Sequence, residues 1–206
     1  MEVESLIKRG RKFDQVIDGA SRVFMAEGFE GASVDTIARE AGVSKATLYS
    51  YFPDKKLLFI EVAQREITRQ ASLIAEIDHD GLSAREVLTQ IGTNLATLLM
   101  SKFGISVYRV VIAEAGRFPE IGQQFYCQGP CVTVDRMMAF FKHAEDRGEL
   151  KVEDPHLAAH QFAELCKADC FFEVLLGIKS SVSAEDIKRV VDSAVEMFLT
   201  RYGTAA

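Results

Sequence analysis

Apolar residues recur at helical spacing along nearly the whole chain, and no stretch alternates as a half-buried strand would. The first stripe is Phe13, Val16, Ile17, Ala20 and Phe24, and Gly28 followed by Phe29 predicts its end. Val34, Ile37, Ala38 and Ala41 then share a face. Ser33 stands where an N-cap should be, and Gly42 offers the left-handed residue that stops this helix. Val43 is expected to turn inward and Ser44 to cap a second short helix. There Leu48 and Phe52 point one way, Ala46 and Ser50 the other, with Thr47 and Tyr49 on the flanks. Phe52-Pro53 ends it, because the residue before a proline avoids the helical region. A helix, a tight glycine turn and a short helix with a small, polar outer face make a helix-turn-helix. Nothing bulky or acidic bars the second helix from a major groove.

Asp54 caps the next helix, which Leu57, Leu58, Ile60, Ile67, Ala71 and Ile74 carry to about Ile77. It is the one evident mechanical link to the rest of the chain. Ser83 and Glu86 read as a capping box ahead of Val87, Leu88, Ile91, Leu95, Leu98 and Leu99. Gly104 is expected to punctuate, Val107 to Ala115 to be helical, and Pro119 to break that helix before a short piece to about Cys127. After a turn at Gly129-Pro130, Val134, Met137, Met138, Phe141 and Ala144 mark a helix ending near Gly148. Asp154-Pro155 starts another, with Phe162, Leu165, Cys166, Asp169, Phe172 and Leu176 at helical spacing to about Gly177. Ser183 to Asp186 caps the last, striped by Ile187, Val190, Val191, Ala194, Met197 and Phe198. The expectation is an all-α protein of two domains. The first, residues 1–56, is the helix-turn-helix domain with a basic arm at 1–12; the second, residues 57–206, is larger and helical.

The segment D-T-I-A-R-E-A-G-V-S-K-A-T-L-Y-S-Y-F-P-D-K-K-L-L resembles the DNA-binding part of tetracycline-repressor-like (TetR family) regulators, continuously from about Phe13 to Leu58. A-E-A-G-R-F-P-E-I (113–121) is similar to the AefR-like branch. The resemblance implies a ligand-responsive repressor that binds a palindromic operator in double-stranded DNA. It implies a homodimer through helices at about 155–178 and 183–202, and a small, largely apolar effector in the second domain. Carried over by position, Thr47 and Tyr49 meet base edges or phosphates and Lys45 a base or phosphate. Ser33, Tyr51 and Lys55 hold phosphates, and Ser44 and Ala46 complete the DNA-facing set.

Net charge is −6, an awkward sign for a DNA binder, but its distribution resolves the difficulty. Residues 1–56 hold nine basic and nine acidic side chains, so the excess lies beyond them. Lys8, Arg9, Arg11 and Lys12, then Lys45, Lys55 and Lys56, concentrate positive potential locally, which counts for more than the total. The arm reads equally as a phosphate or minor-groove contact and as a solvated tail. The polar N-terminus lacks a signal-peptide core and no run of 18 apolar residues occurs, so a cytoplasmic protein with no membrane partner is expected.

Candidate chemistry is sparse. Cys127, Cys131, Cys166 and Cys170 form two C-x₃-C pairs, expected to be structural, with a redox-gated regulator or a metal site as alternatives. His156, His160 and Glu164 are four apart, which suits a metal on one helix face, although one face supplies few ligands and exposed histidines are commoner. Catalytic and nucleotide-binding signatures are missing, so neither an enzyme nor a cofactor is expected. A DNA-binding protein without an effector stays open as a further alternative. Phe103, Tyr108, Phe125, Tyr126, Met137, Met138, Phe141, Phe162 and Cys166 are candidates to line an apolar ligand pocket, against the plain reading that they are core.

Overall fold

The computed structural model describes residues 11–75 and 81–204, apart from the side chains at 11, 68 and 70–75. Lys8, Arg9 and the expected end of the linking helix near Ile77 lie outside the described residues. Every extended element described is helical, and one isolated bridge pairs Leu150 with Gly203. The chain divides into two compact units, up to Glu66 and from Ile67 onward.

The first unit contains α1 (Arg11–Gly31), α2 (Val34–Glu40), α3 (Lys45–Tyr51) and the start of α4 (Lys55–Ala75). Helix α1, described from Arg11, already includes Arg11 and Lys12 of the expected arm. All five residues of its predicted stripe are buried. Gly28 breaks the helix with φ 73°, and Phe29 beyond it packs on Phe24 and Phe59 at 6.4 and 5.1 Å. Phe13 stacks on Phe52 at 5.4 Å, and Phe24 meets Phe59 edge-on at 4.9 Å. Helix α4 therefore enters this core through Leu58, Phe59, Val62 and Ala63. Leu57, expected in its apolar stripe, is exposed, because that face lies a quarter-turn away. Gly19 has a structural reason the pattern did not reveal. A Cβ there would lie 2.6 Å from the backbone of Ala41, so α1 and α2 touch backbone to backbone.

The second unit adds α5 (Ala84–Met100), α6 (Lys102–Ala115), α7 (Pro119–Gln128), α8 (Pro130–Asp146), α9 (Pro155–Leu165), α10 (Phe171–Leu175) and α11 (Ala184–Tyr202). Three prolines occupy first helical positions, where the missing N–H costs nothing. The core centres on Phe198, which stacks with Phe141 at 5.2 Å and meets Phe162 edge-on at 5.4 Å. Helix α5 lies close to α9 and α11. A Cβ on Gly92 would lie 2.9 Å from Val191 and 3.2 Å from the sulfur of Cys166.

Three expectations fail here. Gly104 does not punctuate; it lies inside α6, where a Cβ would come within 2.1 Å of the Leu98 carbonyl oxygen. The break falls at Ser101, which ends α5 and caps α6, and the two helices bend by 65°. Secondly, the helix expected from 155 to about 177 is two. Asp169 takes a positive φ of 69°, which resets the register. Cys170, Phe171 and Val174 turn inward and Phe172 and Leu176 outward. Thirdly, Met197 is exposed and Val195 takes its place in the core. Arg109 of α6 holds α10 by donating to the carbonyls of Val174 and Leu175 at its C-terminal end. No single helix among the described residues is long and apolar enough to cross a membrane.

Candidate nucleic-acid interface

The site is built by two caps and a turn. The Thr36 N–H donates to Ser33 Oγ (3.0 Å), which fixes the start of α2. Gly42, at φ 64°, reverses the chain, and the Val43 N–H returns to the Ala38 carbonyl at 3.0 Å. The Thr47 N–H then donates to Ser44 Oγ (3.1 Å), which starts α3. Leu48 and Phe52 anchor α3 from beneath. Lys45, Ala46, Tyr49 and Ser50 are exposed and Thr47 is half-buried, so the outer face carries small side chains around one aromatic ring. Ser50 was absent from the expected DNA-facing set, although its place four residues after Ala46 puts it on that face.

The basic residues differ from one another. Lys45 forms an exposed ion pair with Asp35 of α2, a pairing weak enough to yield to a phosphate. Lys55 is turned inward instead of outward. Its ammonium donates to the carbonyls of Phe29 (2.9 Å) and Ala32 (3.0 Å) and sits 4.4 Å from the centroid of the Phe29 ring. The carbonyls left over where α1 ends attract a cation, so Lys55 clamps α1 to α4. Tyr51 is half-buried, edge-on to Phe13 at 5.7 Å.

In the second unit, the residues proposed as a pocket separate into groups. Met137, Phe141, Phe162 and Cys166 belong to the packed core, Phe103 is buried, and Met138 packs half-buried against the core. Tyr108 stands between Phe125 (5.4 Å) and Phe171 (5.0 Å), edge-on to both. Burial, with the Glu164 carboxylate second, holds its hydroxyl above the usual tyrosine pKa and so protonated. Tyr126 is 48% exposed and lines no interior, because Phe125 beside it takes the inward position on α7. Sequence reasoning missed Gln128, one helical turn after Phe125. Its Oε1 is buried and accepts no hydrogen bond among the described residues.

The cysteines also divide. Cys166 and Cys170 are buried, and burial pushes the Cys166 thiol up to about 12, whereas Cys127 is exposed and Cys131 half-buried. The His156 and His160 rings meet edge-on with centroids 4.8 Å apart, but Glu164 is engaged by Lys167 at 2.6 Å. Among the described residues no three His, Cys, Asp or Glu side chains are grouped to hold a metal.

The family model for tetR-family bacterial regulatory proteins matches residues 16–62, and that for the AefR-like transcriptional repressor C-terminal domain matches 86–204, more than half of the chain. The chain belongs to the TetR family. That family is one of transcriptional regulators, not enzymes. It is similar to a solved TetR-family regulator from Mesorhizobium loti, with 29% identity, TM-score 0.73, and 94% of this chain and 98% of that one covered. It is also similar to the flavonoid-responsive regulator FrrA, with 32% identity, TM-score 0.61, and 96% and 100% covered. Among curated relatives, the repressor AcnR of Corynebacterium diphtheriae is 32% identical over 76 residues, 37% of this chain and 40% of AcnR. The chain thus matches well under half the length of that relative.

Proposed function

We propose that this TetR-family protein is a homodimeric repressor that reads a palindromic operator with α3 and releases it when an aromatic, hydroxyl-bearing effector binds the second unit. The observation that carries the DNA reading is the outer face of α3, held by two serine caps and the Gly42 turn. Thr47, Tyr49 and Ser50 are the base-reading candidates. Ser33, Ser44 and Lys45 are the phosphate-positioning ones, and Ala46 leaves room for the groove wall. Residues 57–206 supply the effector and dimer functions, and the protein works in the cytoplasm, where its operator is.

Support for the effector class comes from the Tyr108, Phe125 and Phe171 rings and from Gln128, whose buried oxygen a ligand hydroxyl would satisfy. The similarity to the flavonoid-responsive regulator FrrA makes flavonoids the first class to try. Helix α4 runs from one unit into the other and carries the coupling. The test is operator affinity, measured by fluorescence anisotropy, with and without a flavonoid panel. An active effector should weaken binding roughly 5- to 150-fold, and operator DNA should weaken effector binding by the same factor. Gln128→Leu should reduce the response and leave effector-free operator binding intact. Operator binding that no hydroxylated aromatic alters would refute the effector class alone; no specific operator binding would refute the DNA reading.

A further inference from the structure

The corner between α7 and α8 holds chemistry that neither operator binding nor the effector reading uses. Helix α7 ends at Gln128 and α8 starts at Pro130, and Gly129 between them leaves helical geometry at φ −109°, ψ −85°. Cys127 closes the last turn of one helix and Cys131 opens the first turn of the next. The two cysteines stand four residues apart across this bend, close enough for the Cys127 sulfur to help raise the Cys131 thiol pKa. Cys127 is exposed and Cys131 half-buried, so this pair is open to reagents in solution, unlike buried Cys166 and Cys170. The same corner touches the linking helix, since a Cβ on Gly129 would lie 3.2 Å from Cγ2 of Ile67 in α4.

We propose that Cys127 and Cys131 form a reversible dithiol–disulfide site that low-molecular-weight disulfides oxidise, and that closing the bridge weakens operator binding through α4. Cys127, the more accessible, attacks first as its thiolate. It takes one sulfur of the small disulfide into a mixed disulfide and expels the other as a thiolate. The Cys131 thiolate then attacks the Cys127 sulfur, closes the intramolecular S–S bond and expels the second small thiolate. The protein gives up two protons and two electrons, and the small disulfide becomes two thiols. Burial and the neighbouring Cys127 sulfur hold the Cys131 thiol above its usual pKa, which fits the resolving role rather than the attacking one. An S–S bond of about 2.05 Å draws the sulfurs closer than non-bonded contact allows. The last turn of α7 and the first of α8 must then move together, and Gly129 with them against Ile67.

The experiment treats full-length protein with glutathione disulfide and reads two quantities. Intact mass and a non-reducing peptide map should show a loss of two hydrogens, joining Cys127 to Cys131, with Cys166 and Cys170 still reduced. Operator affinity should fall by about fivefold or more and return with dithiothreitol. Cys131→Ser should stop at the mixed disulfide on Cys127, and Cys127→Ser should take up little glutathione. Oxidation confined to Cys166 and Cys170, or no bridge at all, overturns the site. A bridge that forms with operator affinity unchanged overturns the coupling. Reduced protein that binds no operator would instead be a failure of the function proposed above, which the mass measurement does not depend on.

Discussion

At the scale of single residues, the two lysines flanking the recognition helix have different duties. Lys45 is exposed and loosely paired with Asp35, so Lys45→Ala should lower the slope of operator affinity against salt by about one unit with little change in stability. Lys55 is spent on the Phe29 and Ala32 carbonyls. Lys55→Met should therefore destabilise the first unit by roughly 1.5–3 kcal/mol, the range for hydrogen bonds to a charged group, and leave the salt slope nearly unchanged. Urea denaturation and salt-dependent anisotropy of both variants separate the roles. Loss of a full slope unit in Lys55→Met at normal stability would return Lys55 to the DNA surface.

At the scale of elements, caps and close approaches decide where helices start and how near they lie. Gly19 lets α1 rest on the backbone of Ala41, so Gly19→Ala must push the two helices apart. A cost of about 1–3 kcal/mol, as for overpacked cores, should appear as a lower urea midpoint. The capping carboxylates set a pH dependence. Hydrogen bonds from Ser83 hold Glu86 below its ordinary 4.5, and those from Ser183 help hold Asp186 below 3.8. A lowered pKa in the folded state means stability fully present above those ordinary values and lost as pH falls through the lowered ones. Thermal melts should therefore drop as pH falls below the ordinary values of 4.5 and 3.8, and the Glu86→Gln, Asp186→Asn double variant should drop less. An equal drop in both proteins would show that other groups govern acid stability.

For the whole molecule, the apolar surface of the last helices asks for a partner. Phe172, Leu176, Ile178 and Met197 are 67, 70, 72 and 56% exposed, and half-exposed Leu157 stands on α9. A second copy of this chain covering them fits the proposed homodimer, with an interface above roughly 1,000 Å². Phe172→Glu with Met197→Glu should give monomers in sedimentation velocity at micromolar concentration. It should weaken operator binding sharply, because one recognition helix then meets only one half-site. Wild-type protein that sediments as a monomer would contradict the homodimer.

Much of this was fixed by local chemistry and therefore legible in the sequence. The Ser33, Ser44 and Ser83 caps, the Gly42 turn and the stop at Phe52-Pro53 are all set by residues within four positions of one another. So is the all-helical class, which needs only the spacing of apolar residues. Effects from distant partners were not legible. Nothing near Lys55 in the chain announces the carbonyls of Phe29 and Ala32, more than twenty residues earlier. Helical spacing predicted one helix through Asp169, because a positive φ at a non-glycine residue leaves no mark on the pattern. The burial of the Gln128 Oε1 and the closeness of Cys127 to Cys131 across a helix corner were likewise decided in three dimensions. Local hydrogen bonds and periodicity settle where helices run, whereas which face of each helix is covered, and by what, is settled only when they pack.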